Sequence, residues 1–181
     1  MTAAKVCKKD NITAHQKKWN ILVKFLPSVA IYLFLGLSSV AVANPEGGQV
    51  VGGSATIVVE GSTTTINQSS DKAIIDWRTF NIQQGEKTQF NQPSTSSIIL
   101  NRVIDNSQAS QIHGQLTANG QVIIVNQAGI VFGPTARVDV GSLIATTANI
   151  RNEDFMAGKL IFSQLPESGG AVINKGVITA A

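Results

Sequence analysis

His113 is the single histidine in residues 44–181. An imidazole does acid–base work only beside a nucleophile or a second proton carrier. No Gly-x-Ser-x-Gly elbow accompanies it, and one histidine without cysteine or carboxylate help makes no zinc site. A corner or surface role remains. Asp71 and Asp76 stand five residues apart, and two carboxylates on one face would suit glycoside hydrolysis, but nothing beside them completes such a site. Gly47-Gly48 and Gly52-Gly53 precede a strand pattern and no helix, so neither is a phosphate loop. Trp77 offers a face for a sugar ring, but burial is the commoner fate of a lone tryptophan. These residues support no catalytic centre, no metal site and no cofactor.

The elements that would position them follow from composition. The chain has 181 residues and a net charge of +3, unevenly spread. Residues 1–43 hold six lysines against Asp10, net +5, while residues 44–181 hold eight basic against ten acidic side chains, net −2. The basic character belongs to the leader. The body has no cationic excess to pair with phosphates, which excludes a nucleic-acid-binding reading. Cys7, the one cysteine, lies in the leader, so the body has neither a disulfide framework nor a Cys-ligated metal.

Residues 1–43 read as a cleaved secretory signal peptide. Lys17-Lys18 and Trp19 close a long basic segment, and an apolar stretch runs from Phe25 to Val42, broken by Pro27 and by Gly36-Leu37-Ser38-Ser39. Ala41 and Ala43 give the Ala-x-Ala pattern that signal peptidase accepts, which places cleavage after Ala43 and makes Asn44 the first mature residue. The rival is an uncleaved anchor; the stretch is barely long enough to span. A cysteine-free body also suits a chain kept threadable for a second membrane passage, because no disulfide can fix it in the periplasm.

The body reads as all-β. Short runs of β-formers recur at 55–59, 63–67, 74–75, 88–90, 97–103, 121–126, 130–132, 137–140, 143–146, 159–162, 171–174 and 177–179, with Gly, Asn, Ser or Pro between most of them. One helical turn is expected at Asn152–Met156, with Glu153 and Asp154 in its first turn. Three apolar runs close on asparagine, at Asn101, Asn126 and Asn174, spaced 25 (101 to 126) and 48 (126 to 174) residues apart. That is close to one and two coils of a β-solenoid. The pattern predicts these asparagines at successive corners, stacked and hydrogen-bonded along the axis. A β-sandwich would show cleaner alternation and hairpin dipeptides; only Asn119-Gly120 resembles one. Residues 44–95, irregular and rich in Ser, Thr and Gln, read as a terminal cap with Trp77 and Phe80 as cap-to-core contacts. Residues 96–181 read as the coils. The strand pattern still runs at Ala181, so a longer passenger is expected to follow.

The run Ser97-Ile98-Ile99-Leu100-Asn101-Arg102-Val103, then Ser110 to Leu116, Ala118 to Gly133 and Val138 to Thr147, closely resembles the haemagglutination-activity, or two-partner-secretion, domain. That domain opens filamentous haemagglutinin and related large exoproteins of Gram-negative bacteria. The resemblance runs from about Gly53 to Ala181 and is strongest over 97–150. It implies a right-handed parallel β-helix with an N-terminal cap and extra-helical strands. It also implies a secretion signal that is not an enzyme, exported to the periplasm and then to the cell surface or medium. The implied partners are the general secretory machinery, signal peptidase and an outer-membrane transporter of the Omp85 superfamily with POTRA domains. The family motif Asn-Pro-Asn-Gly-Ile reads here as Asn126-Gln127-Ala128-Gly129-Ile130, with Pro and Asn replaced, and no clean copy of Asn-Pro-Asn-Leu is present. A turn at these positions is still expected; whether it is a corner or a transporter contact is left open. The alternative function is an adhesin binding a host surface glycan. A polysaccharide-lyase-like enzyme is a third reading, and the sequence shows no cluster of carboxylates and basic residues for it.

Overall fold

The computed structural model describes residues 44–166 and 169–181. The signal peptide, with Ala41 and Ala43, lies outside the described residues. Fourteen strands and one short helix follow in order: β1 (Gln49–Gly52), β2 (Ala55–Glu60), β3 (Thr63–Gln68), β4 (Lys72–Trp77), β5 (Lys87–Asn91), β6 (Ile98–Val103), β7 (Ser110–Ile112), β8 (Gln115–Ala118), β9 (Gln121–Val125), β10 (Ile130–Phe132), β11 (Arg137–Val140), β12 (Ser142–Thr146), α1 (Asn152–Met156), β13 (Val172–Asn174) and β14 (Val177–Ala180).

They build three sheets, ordered β1-β4-β6-β9-β12, β13-β10-β7 and β14-β11-β8-β5-β3-β2. Strands of one coil lie in different sheets, and each pairs in parallel with its counterpart in the next coil. The result is a β-solenoid of about four coils. Only β1 on β4 and β2 on β3 are antiparallel among these strands. Gly61-Ser62 closes the β2–β3 hairpin, with Gly61 at φ +57°. Glycine at the first position of a two-residue hairpin loop is itself a sequence signal.

The core is a set of columns. Ala73, Ile99, Val122 and Leu143 face inward on successive rungs. So do Ile66 with Phe90, and Ile112 with Phe132. The five-stranded sheet is also buried on its outer face. Ile74, Leu100, Ile123 and Val125 form a second cluster there under Ile150 and Phe155. This is why β4, β6 and β9 read as continuous apolar runs instead of alternating ones. The cover comes from an excursion between β12 and β13 that carries α1. Lys72 Nζ donates to the Met156 carbonyl at 2.9 Å, and Arg102 donates to the Ile150 carbonyl at 3.3 Å.

Three expectations are corrected. The parallel ladder begins at β3 and β4, well before residue 96, and the antiparallel cap is confined to β1 and β2. The expected β-run at 63–67 is strand β3 and belongs to the ladder although it lies within the Ser/Thr/Gln-rich segment read as cap: Thr63, Thr65 and Asn67 point outward, while Thr64 and Ile66 are buried. Lys159–Phe162 forms no strand: Phe162 packs on the outer cluster, whereas Leu160 and Ile161 are exposed. Strands β1, β7 and β8 were not legible as strands, because the last two are short and point only Ile112 and Leu116 fully inward as apolar residues.

Phe155→Ala is expected to destabilise the domain by about 3 kcal/mol, whereas Met156→Ala, whose side chain is exposed, should change little. The midpoint of urea unfolding measures both. Equal midpoints for the two variants would show that the outer cluster does not support the sheet.

Candidate functional site

Asn101, Asn126 and Asn174 do not stack. Asn101 sits inside strand β6, on the rung of Ile75 and Ile124, and is fully buried. Asn126 follows β9 at a turn, and Asn174 ends β13 beside Phe132 in another sheet. The expected corner ladder of these three is therefore overturned. The coils are unequal in length: Lys72 pairs with Ile98, Ile98 with Gln121 and Gln121 with Ser142. A constant spacing therefore picks residues from different corners.

Each asparagine has its own task. Asn101 Oδ1 accepts from the Trp77 indole Nε1 at 3.0 Å, and its Nδ2 donates to the Ile123 carbonyl at 3.3 Å. This amide satisfies the indole within the core, where an unpaired N–H is expensive. The Trp77 ring meets Phe80 edge-on at 5.7 Å. A Cβ on Gly48 would lie 2.5 Å from the ring, so the segment entering β1 lies directly on the indole. Asn44 is buried nearby in the chain, its Nδ2 donating to the Gly61 carbonyl at 3.2 Å.

A corner ladder does exist, built from other amides. Gln92 Nε2 donates to Gln68 Oε1 at 3.1 Å, and Asn91 Nδ2 donates to Asn67 Oδ1 at 2.8 Å. Asn119 continues it, exchanging two bonds with the Gln92 backbone at 2.7 and 2.8 Å. Asn119-Gly120 is thus a corner between two sheets and not a hairpin. The sequence carried the signal for this ladder: Ile66-Asn67-Gln68 and Phe90-Asn91-Gln92 are the same triplet pattern one coil apart.

At Asn126–Ile130 the turn is closed by the Gly129 amide on the Asn126 carbonyl at 3.0 Å and by the Ala128 amide on Asn126 Oδ1 at 2.9 Å. Asn126 Nδ2 reaches Ser110 Oγ at 2.9 Å and the Gln108 carbonyl at 3.1 Å. Gly129 has φ +120°, and a Cβ there would lie 2.9 Å from the Ala171 carbonyl. Asn126, Gly129 and Ile130 are buried, while Gln127 and Ala128 are half-buried. Gln127 accepts from Asn106 Nδ2 at 2.9 Å in the loop beside it. In that loop Asp105 is held below the usual carboxylate range by hydrogen bonds from the Ser107 side chain and amide.

The remaining candidates separate. His113 packs over Gly133, where a Cβ would meet its ring nitrogen at 2.1 Å. Asp76 pairs with Arg102 at 2.7 Å, while Asp71 is exposed outside β4. Among the described residues no three metal-ligating side chains converge.

A model of the TPS secretion domain matches residues 41–181. The chain belongs to the TPS secretion domain family. One solved structure it resembles is the HMW1 secretion domain of Haemophilus influenzae, with a TM-score of 0.71 and 40% identity, covering 76% of this chain and 37% of that one. A heme/hemopexin-binding protein of Haemophilus influenzae is 40% identical over 106 residues, which is 59% of this chain and 12% of that protein. Another is 43% identical over 98 residues, 52% of this chain and 10% of that protein. The chain therefore spans about a tenth of the length of the curated relatives it matches. The family is one of secretion domains of exoproteins and not of enzymes. In this TPS domain the family-motif positions make a buried corner whose two replaced residues, Gln127 and Ala128, are its least buried ones.

Two variants of the TPS domain separate these roles. Asn101→Ala should cost about 1–3 kcal/mol by stripping the indole of its acceptor, read from urea unfolding through Trp77, the one tryptophan of residues 44–181. Gly129→Val should cost a similar about 1–3 kcal/mol from strain at positive φ. An unchanged unfolding midpoint in Gly129→Val would remove the corner from the fold's requirements.

Proposed function

We propose that residues 44–181 are the secretion signal of a larger two-partner-secreted exoprotein. In this reading the leader carries the chain across the inner membrane and signal peptidase cuts after Ala43. An Omp85-superfamily transporter then receives the TPS domain at its POTRA domains. The exported coils form outside and serve as the template on which a passenger folds. The match to the TPS secretion domain over residues 41–181 carries the reading.

The geometry supports the templating step. Strands β12, β13 and β14 are each last in their sheet, paired on one side only with β9, β10 and β11. Val172, Ile173 and Val177 on these strands are exposed. Each free side can accept a parallel strand about 4.8 Å away. A coil added there buries apolar side chains and pairs backbone groups, so folding outside makes return unfavourable without ATP.

Residues 1–181 with a C-terminal tag, expressed with and without a two-partner transporter, test the reading. The tag is expected in the medium only when the transporter is present, on a chain beginning at Asn44. Retention in the periplasm under both conditions, or equal release under both, would overturn it.

A further inference from the structure

The start of the body is held more tightly than a chain terminus usually is. Ends of domains are poorly ordered unless something ties them down. Here Asn44 is only 4% exposed and Pro45 is buried beside it. Asn44 Nδ2 donates to the Gly61 carbonyl in the β2–β3 loop. The Glu46 amide donates to the Thr79 carbonyl at 2.9 Å, and the Glu46 carbonyl accepts from the Arg78 amide at 2.9 Å. The Glu46 carboxylate is ion-paired with Arg78. Gly47 turns the chain at φ +67°, and Gly48 sets it down on the Trp77 ring. No slack separates the expected cleavage point from the fold, because the first residue after it is already packed.

We propose, on the reading that the leader is removed after Ala43, that folding closes the processing site: signal peptidase cuts only while residues 44–48 are still off the domain, so cleavage precedes closure of the first coil. The step is a hydrolysis. Water adds across the Ala43–Asn44 peptide bond, the C–N bond breaks, and a carboxyl on Ala43 and an amine on Asn44 are formed. A peptidase needs the chain extended in its cleft on both sides of that bond. Extending Asn44 to Glu46 breaks the bond to Gly61, the backbone pairing with Arg78 and Thr79 and the Glu46 ion pair together. It also exposes Asn44 and Pro45. Cleavage of a folded chain therefore goes through its opened fraction.

The small residues Ala41 and Ala43 select the bond by sequence, and the fold adds a second condition, which is conformation. This fixes a place in the reaction sequence. Translocation supplies an unfolded chain, hydrolysis follows, and only then do residues 44–48 settle across the end of the solenoid. A chain that closed first would stay joined to its leader.

The test uses the uncleaved chain, residues 1–181, refolded in detergent and incubated with purified signal peptidase, with the new N-terminus read by mass spectrometry. The unfolded comparator is Ile66→Asp/Ile99→Asp, which puts two charges at fully buried core positions. It is expected to be cut after Ala43, and the folded chain to be cut at least about a hundredfold more slowly. Inserting Gly-Ser-Gly-Ser between Ala43 and Asn44 supplies the missing slack. That variant, with the circular dichroism of the folded chain, is expected to be cut within about threefold of the same insertion in the unfolded comparator. Equal rates for the folded chain and the comparator would overturn the proposal, as would an insertion variant that folds and stays as slow as the parent. A comparator that is not cut after Ala43 would overturn the processing reading beneath it.

Discussion

The five-stranded sheet must be buried on both faces, and most of the molecule is arranged around that constraint. Its inner side chains fill the solenoid and its outer ones need a separate cover. A strand with apolar residues at both parities loses little hydrophobic burial on slipping by one residue, so the apolar pattern alone fixes its register weakly. The polar members of the sheet add the missing specification. Asn101 faces inward because Trp77 Nε1 needs an acceptor, and Arg102 faces outward to Asp76 and the Ile150 carbonyl. The alternation Leu100-out, Asn101-in, Arg102-out is therefore fixed by hydrogen bonds where hydrophobicity is indifferent. The same Arg102 bond ties the excursion to the sheet it covers.

The fold was legible wherever local pattern and burial agree. The strands at 130–132 and 137–140 and the helical turn at 152–156 lie at the expected positions. The coil repeat was harder, because an apolar run ending in asparagine has the same appearance in two environments. In β6 the asparagine is a core residue, and after β9 it is a turn residue. A sequence period assigns them one role, whereas the excursion and the uneven corners give them different ones. The glutamines of the true ladder, Gln68 and Gln92, carry no strong turn signal of their own, so only their repeated neighbours mark them. The cap boundary was misplaced for a related reason: a threonine-rich strand with one polar face alternates as a strand does, but its composition resembles that of a loop.

Buried polar groups recur at the corners for a physical reason. A solenoid turns its backbone every few residues, and each turn leaves amides and carbonyls without ladder partners. Water cannot reach those on the inner side. Gln92 meets this need by bonding to the Gln68 side chain and to the Ser97 carbonyl, and Asn126 by bonding to Ser110 and the Gln108 carbonyl. Such side chains link one coil to the previous one, so a corner is completed only when its neighbour is in place. This coupling makes the stack cooperative at its corners as well as in its sheets.

The order of elements then bears on how such a stack begins. A lone parallel coil has to close a long loop before any pairing compensates for it. The N-terminal hairpin avoids that step, since β2 and β3 are joined by two residues and pair at six residue positions. With β3 in place, β5 has a strand to pair with in parallel, and β1 on β4 does the same for the second sheet. Stability in a repeat architecture is close to a sum of unit and nearest-neighbour terms. The unfavourable term is therefore concentrated in the first coil, and each later coil meets a face already ordered. An antiparallel start with a buried Trp77 beneath it is the arrangement that lowers that first term, and it belongs at the end of the solenoid from which the coils are counted.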